Sequence, residues 1–141
     1  AKVDNYRSIS TNARLGGRKP IYCTGLGKTF LTFLPKEERD EIIRRIEFNP
    51  ITHNTITSKE KLYDQLEVFE KQGYAVDNEE IEVGLWCAAA PVFGNSGRME
   101  AAVSVSGPTA RMLANKEEIV SELLKVTREL SKQMGYSGEI I

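Results

Sequence analysis

Apolar residues recur at helical spacing in four stretches of the chain, which predicts four helices. The first follows Thr24, whose hydroxyl is placed to cap it. Its apolar face is formed by Leu26, Phe30, Leu31, Phe33 and Leu34. The other three helices are predicted over residues 35–49, 57–73 and 115–135. Each has its own start signal: a proline, capping-box spacing or an asparagine cap.

The remaining apolar positions fall in short runs that are typical of strands. Residues 3–11 form a weak, polar-rich strand pattern, and residues 74–76 a short apolar one. Two longer runs, 85–93 and 99–106, are joined by Gly94-Asn95-Ser96-Gly97, a hairpin connection. Residues 77–84 are predicted to be an acidic loop. Helices that alternate with hairpin-joined strands predict an α+β domain, with an antiparallel sheet covered by helices.

Composition and charge narrow the class of protein. The chain has 141 residues, 40% of them apolar and 28% charged, which suits one folded domain with a real core. Its net charge of −1 provides no basic surface for nucleic acid. No run reaches the roughly 18 apolar residues of a membrane span. Two cysteines indicate reduced thiols and a cytoplasmic protein, and the start without Met suggests a piece of a longer chain.

The segment Thr24-Gly25-Leu26-Gly27-Lys28-Thr29 places two glycines at a predicted helix start. It is not a phosphate-binding loop, because that motif requires a glycine where this chain has Tyr22. Tight packing between loop and helix is the more common reason for such glycines. The alternative is a pocket in which the unpaired N–H groups of the first turn bind a carboxylate.

Two further groups of polar residues are candidates for ligand binding. Ser104 and Ser106 alternate with valines, so both hydroxyls point to the same face of a strand, where they suit a carboxylate or hydroxyl ligand. They could equally face water. Asp77 directly follows a short apolar strand, so it either projects into a pocket or belongs to a solvated acidic loop.

The two cysteines and the single histidine offer little for catalysis. Cys23 and Cys87 border apolar segments, where burial as small hydrophobic residues is the expected outcome. A cysteine hydrolase would need His53 close to a thiol, and nothing in the sequence places it there. The chain has too few Cys and His residues at ligand spacing for zinc. We therefore expect a protein that is not an enzyme and uses no metal or cofactor.

Five segments occur together in a fixed order along the chain. They are GGRKP leading into TGLGK (16–28), THNTIT (52–57), GYAVDNEE (73–80), GLWCAAAPV (84–92) and SVSGP (104–108). In this combination the chain resembles the effector-binding domain of IclR-family bacterial transcriptional regulators. The resemblance extends from about residue 16 to the last helix.

This resemblance implies a fold and an organisation. Residues 1–141 would form one GAF-like effector-binding and oligomerisation domain, a curved antiparallel sheet with helices on its faces. A winged helix-turn-helix domain would precede it in the intact protein and bind operator DNA. Such a regulator is expected to be a dimer or tetramer. A ligand-free dimerisation module and, less plausibly, a cysteine hydrolase are the alternatives.

The resemblance also implies a site for a small-molecule carboxylate. Its expected contacts are the backbone of Gly25 and Leu26 and the side chains of Asp77, Cys87, Ser104 and Ser106. Lys19, Ser8 and Thr11 lie at variable positions and would make the lining more polar than in some relatives. That polarity suits a polyhydroxylated acid. Arg7 and residues 18–22 are also similar to those of regulators of sugar-acid catabolism, and this resemblance implies a sugar-acid effector and a repressor of a catabolic operon.

Overall fold

The computed structural model describes residues 1–3 and 14–138. The strand predicted over 3–11 lies almost entirely outside the described residues, as do Ser8 and Thr11. Five helices and three strands are assigned in the described part. In chain order they are α1 (Gly25–Phe33), α2 (Lys36–Arg44), α3 (Lys59–Gln72), β1 (Ala75–Asn78), β2 (Leu85–Phe93), β3 (Met99–Pro108), α4 (Thr109–Ala114) and α5 (Lys116–Gln133).

The three described strands form one antiparallel sheet in the order β1-β2-β3. The predicted hairpin joins β2 to β3, and the bounds of β2 agree with the apolar run that predicted it. Two strands run further than predicted: β3 continues to Pro108, and Asp77 and Asn78 belong to β1, where they pair with Cys87 and Trp86, so the acidic loop begins only after them. The helix predicted over 35–49 is shorter and ends at Arg44. The predicted α+β architecture is confirmed.

The sheet is covered on both faces, and alternate residues of β2 belong to opposite layers. Trp86, Ala88 and Ala90 pack with the residues of α4 and α5. Cys87 and Ala89 face the first turn of α1, on the side where α2 and α3 build a second apolar cluster. Small residues in the middle of β2 let helices approach closely from both sides.

The glycines at the start of α1 are required by this close approach. A Cβ atom on Gly25 would lie 2.7 Å from Cys87 Sγ and 3.4 Å from Ala89 Cβ. One on Gly27 would lie 2.4 Å from the backbone oxygen of Ile21. Close packing alone accounts for both glycines, which agrees with the more common of the two interpretations of this segment.

The side chains that α1 buries differ from the apolar face that the sequence pattern predicts. Leu26 and Phe30 are 41% and 36% exposed, whereas Lys28 is fully buried. Thr29 and Thr32 are also buried, and their hydroxyls donate to the carbonyls of Gly25 and Lys28 one turn earlier. These polar side chains can be buried because each of them has a hydrogen-bond partner within the fold.

The C-terminal part of α5 likewise buries polar side chains and exposes apolar ones. Leu130 and Met134 are exposed, while Thr127 and Ser131 are buried. The Ser131 hydroxyl donates to Thr127 O at 2.7 Å and accepts from the Phe93 N–H at 3.0 Å. The second of these bonds links α5 to the end of β2.

Sequence reasoning located most helix starts but not every capping residue. Thr24 caps α1 as predicted, since its hydroxyl accepts from Gly27 N–H. At α3 the cap is Ser58, one residue after the predicted Thr57. Asn115 precedes α5 without capping it, because its side chain donates back to the Arg111 carbonyl. That bond closes α4, a short helix that the sequence pattern did not predict.

We predict that Gly25→Ala destabilises the domain by about 1–3 kcal/mol, the usual cost of forcing extra atoms into a packed interior. Cys87→Ala removes the sulfur that the new methyl group meets. The double variant should therefore lose less than the sum of the two single losses. Urea unfolding followed by circular dichroism measures all three variants. Strict additivity would contradict the close contact between α1 and β2.

Candidate functional site

Strand register brings the predicted side chains of the sheet onto one face. Asp77, Cys87 and Ser106 are direct neighbours across the three strands. Ser104 lies one row further along, opposite Ala89. Residues paired across antiparallel strands share a face, and this face is the one that the first turn of α1 covers.

Exposure changes across this face from its centre to its edge. Asp77 is 2% exposed and Cys87 is 8% exposed, and Gly25 is buried above them. Ser104 and Ser106 on β3 are exposed. Leu26, the remaining predicted contact, is exposed beside Gly25. Together these six residues form a polar area, open at β3 and closed beneath α1, which we call the α1–sheet site.

Asp77 is a buried carboxyl held by backbone donors. Its Oδ1 accepts from the Glu80 N–H at 2.8 Å. Burial raises the pKa of Asp77 to about 6, and the neighbouring Glu80 carboxylate acts in the same direction. The N–H groups of Glu80 and Ile81 and the charge of Lys28 oppose that rise only in part.

A buried ion pair lies beside this carboxyl. Lys28 Nζ donates to Glu80 Oε2 at 2.6 Å and to Gln65 Oε1 at 2.9 Å, and it lies 5.2 Å from the centre of the Phe69 ring. Burial lowers the pKa of Lys28 and raises that of Glu80, while their attraction opposes both shifts. The pair connects α1, α3 and the turn that follows β1.

The turn after β1 is also held by the THNTIT segment. Thr55 Oγ1 donates to Glu80 O and Thr52 Oγ1 donates to Glu79 O, each at 2.6 Å. Asn54 Nδ2 donates to Asn78 O at 3.0 Å. These bonds fix a turn in which Glu79 has a φ of 56°, a left-handed conformation that is uncommon outside glycine.

The sequence analysis did not identify Lys28, Glu80, Thr52 and Thr55, which hold the elements of the α1–sheet site in place. A helical projection would have placed Lys28 near Gly25 and Leu31, on the face that packs against the sheet. A lysine in such a position requires a buried acidic partner. Nothing in the spacing of the THNTIT segment indicates that its hydroxyls bind a turn about 25 residues later.

Neither cysteine is an activated nucleophile. Burial raises the pKa of Cys23 and of Cys87 to about 12, and the negative charge of Asp77 adds to both shifts. The thiols therefore remain protonated at neutral pH, whereas the thiolate is the reactive form. His53 is exposed. Across residues 14–138, no group of three or more His, Cys, Asp or Glu side chains is arranged to hold a metal ion.

Other features of the described chain lie away from this site. Lys19 is exposed on the loop before α1. One groove of about 370 Å³ is lined by residues 20–22 before α1 and by Ile42 and residues 45–47 at the end of α2. Another of about 520 Å³ is lined by Tyr74 and one side of α5. Neither groove includes any of the six residues of the α1–sheet site. No described helix is both long and apolar enough to cross a membrane.

The fold and the site define a class of α+β domains with a helix-covered antiparallel sheet. A family model described as the C-terminal part of the bacterial transcriptional regulator IclR matches residues 1–132. The chain therefore belongs to the IclR family of bacterial transcriptional regulators and corresponds to the C-terminal domain of these proteins.

Individual relatives support this assignment. The HTH-type transcriptional regulator KdgR of Dickeya chrysanthemi is 42% identical over 136 residues, which cover 96% of this chain and 45% of KdgR. The chain thus spans about half the length of the curated relatives that it matches.

Solved structures give the same result for the fold. The crystal structure of Thermotoga maritima IclR superposes with a TM-score of 0.86 at 40% identity, covering 95% of this chain and 55% of that one. The inducer-binding domain of PobR from Acinetobacter was solved as a double mutant with 3-hydroxybenzoic acid. It superposes with a TM-score of 0.77 at 27% identity, covering 86% of this chain and 73% of that one. The expected GAF-like fold is confirmed by these neighbours.

We predict that Lys28→Met destabilises the domain by about 3–5 kcal/mol, because it leaves the Glu80 carboxylate buried without its cation. Adding Glu80→Gln removes that charge, so the double variant should regain part of the loss. Urea unfolding provides the comparison.

Lys71→Met is the matched control, because Lys71 pairs with Glu67 on the exposed surface of α3. Its stability should remain close to that of the wild type. If Lys28→Met were equally harmless, the buried pair would not hold the site together.

Proposed function

We propose that this chain is the small-molecule sensing domain of a DNA-binding transcriptional regulator, and that its effector is a carboxylate of the sugar-acid type. The observation that carries the proposal is the convergence of Asp77, Cys87, Ser104 and Ser106 on the sheet face that Gly25 of α1 covers. These residues were singled out from separate segments of the sequence.

The chemistry of the α1–sheet site suits an acid that carries hydroxyl groups. Thr24 caps the Gly27 N–H, whereas the N–H groups of Gly25 and Leu26 have no intrahelical acceptor and lie at the positive end of the helix dipole. They would hold the carboxylate of the effector. The hydroxyls of Ser104 and Ser106 both donate and accept, and the Asp77 carboxyl adds a further polar group, so several hydroxyls can be read at once.

The relatives support a regulator that acts through other parts of the intact protein. The PobR inducer-binding domain, which shares this fold, was solved with a small hydroxy acid. KdgR of Dickeya chrysanthemi is an HTH-type regulator more than twice as long as the matching region. We propose that the intact protein represses a catabolic operon, carries a winged helix-turn-helix domain before this chain, and binds operator DNA as a dimer or tetramer.

Effector binding must favour one arrangement of the intact regulator over another to change DNA binding. Allosteric couplings of about 1–3 kcal/mol, which change affinity about 5–150-fold, would be sufficient. We propose that α1 takes part in such coupling. Its contact with the site on one side and with α3 on the other, through Lys28 and Gln65, supports this role.

One observation favours a different function, a ligand-free dimerisation module. Asp77 and Cys87 are buried, and the two grooves described above lie elsewhere on the surface. A site filled by its own side chains would serve only to hold the fold. Ligand titration separates the two functions.

We predict that calorimetric titration with D-gluconate, pyruvate and 3-hydroxybenzoate gives saturable binding for the sugar acid. In titrations at pH 6, Asp77→Ala should weaken binding about 10–100-fold, because a hydrogen bond to a charged effector contributes about 1.5–3 kcal/mol. Ser106→Ala should weaken it about 2–10-fold, as expected for a neutral hydrogen bond.

Exposed residues provide matched controls for these substitutions. Asp64→Ala on α3 and Ser121→Ala on α5 remove the same groups from exposed positions that are not part of the α1–sheet site, and binding should be unchanged. Circular dichroism establishes that each variant is folded. Failure of every acid to bind the folded wild type would favour the dimerisation module. Equal binding by all variants would move the site elsewhere.

A further inference from the structure

We infer that the α1–sheet site takes up one proton together with an acid effector, and that Asp77 is the group that binds this proton. The inference rests on the proposed function, since it concerns the ligand of the same site. It follows from the arrangement of buried charges around Asp77.

The buried cluster contains more negative than positive groups. Asp77 and Glu80 are both 2% exposed, and they are joined by the bond from Glu80 N–H to Asp77 Oδ1. Lys28 is the cation that reaches them in the described part of the chain, and it pairs with Glu80. With both carboxyls ionised, the cluster carries a net charge of −1.

No other side chain around Asp77 supplies a compensating charge among the described residues, and the positive end of the α1 dipole would be occupied by the carboxylate of the effector. Cys23 before α1 and Cys87 on β2 are protonated thiols. Gln65 on α3 is neutral, as are the serines of β3. The cluster also lacks donors, because Glu80 Oε1 is buried and has no hydrogen-bond partner.

An ionised effector bound in this site would bring a second net negative charge into a region of low dielectric. Two negative charges repel each other strongly in a buried site. Because of this repulsion, one of the carboxyl groups keeps its proton. Protonation of Asp77 removes the repulsion and turns this carboxyl into an O–H donor toward an oxygen of the effector. Its Oδ1 can still accept from Glu80.

Asp77 is better suited than Glu80 to bind the proton. Glu80 Oε2 accepts from Lys28 Nζ and from the Asn78 N–H, and both contacts favour the ionised form. Asp77 has backbone N–H partners and no direct ion pair. Burial already raises its pKa to about 6, so protonation near neutral pH requires only a small change in free energy.

The consequence is a binding affinity that falls as pH rises. If the acid binds only the protonated form, the Kd increases about tenfold per pH unit above the pKa of Asp77. Between pH 6 and pH 8 this amounts to about 50-fold. A neutral analogue of the same shape would show no such dependence.

The test is calorimetric titration with D-gluconate, which is ionised throughout this range. Titrations at pH 7.5 in HEPES and in Tris, which have different ionisation enthalpies, should show uptake of about one proton per ligand. The Kd is then measured from pH 6 to pH 8. In Asp77→Asn, proton uptake and the pH dependence should both disappear.

Glu82→Gln is the matched control, because it removes an exposed acidic group from the same turn. It should keep the wild-type pH dependence. Binding without proton uptake would overturn this inference and leave the proposed function intact. Uptake that persists in Asp77→Asn would overturn the assignment to Asp77. If neither gluconate nor the other two acids bind, the proposed function fails and the inference fails with it.

Discussion

The buried ion pair between Lys28 and Glu80 is the constraint on which the α1–sheet site depends. Lys28 lies one turn into α1 after Gly25, and Glu80 lies three residues after Asp77, so one contact fixes the distance between the two halves of the site. A buried pair contributes little net stability, but loss of either partner leaves a charge that the interior cannot solvate. The pair therefore acts chiefly to select one arrangement of α1 and β1.

Much of the fold could be predicted from the sequence, because the patterns there are local. The hairpin follows from two strand-like runs separated by a glycine-containing connection, and α3 from its caps and spacing. The buried face of α1 could not be predicted in this way. Hydrophobic patterning assigns Lys28 and Thr29 to the surface and Phe30 to the core, whereas the observed packing reverses this. Partners distant in sequence decide that outcome, and their positions are fixed only in the folded chain.

The candidate site was predicted residue by residue but not as an arrangement. Alternation along the strand is sufficient to place Ser104 and Ser106 on one face. The alignment of Asp77 with Cys87 and Ser106 requires the register of three strands, which the sequence pattern leaves open. The burial of Asp77 depends on α1 lying directly above it, and that approach depends in turn on Gly25 and on small residues in β2.

The most direct test of this account is a backbone amide NMR titration of the domain with D-gluconate. We predict that the largest shifts occur at the amides of Gly25 and Leu26 and at positions 77, 87 and 104–106 of the sheet, with smaller changes around Lys28. Shifts confined to residues 42–47 or 116–128, which line the two surface grooves, would contradict the account. In that case the buried charges beneath α1 would serve the fold alone.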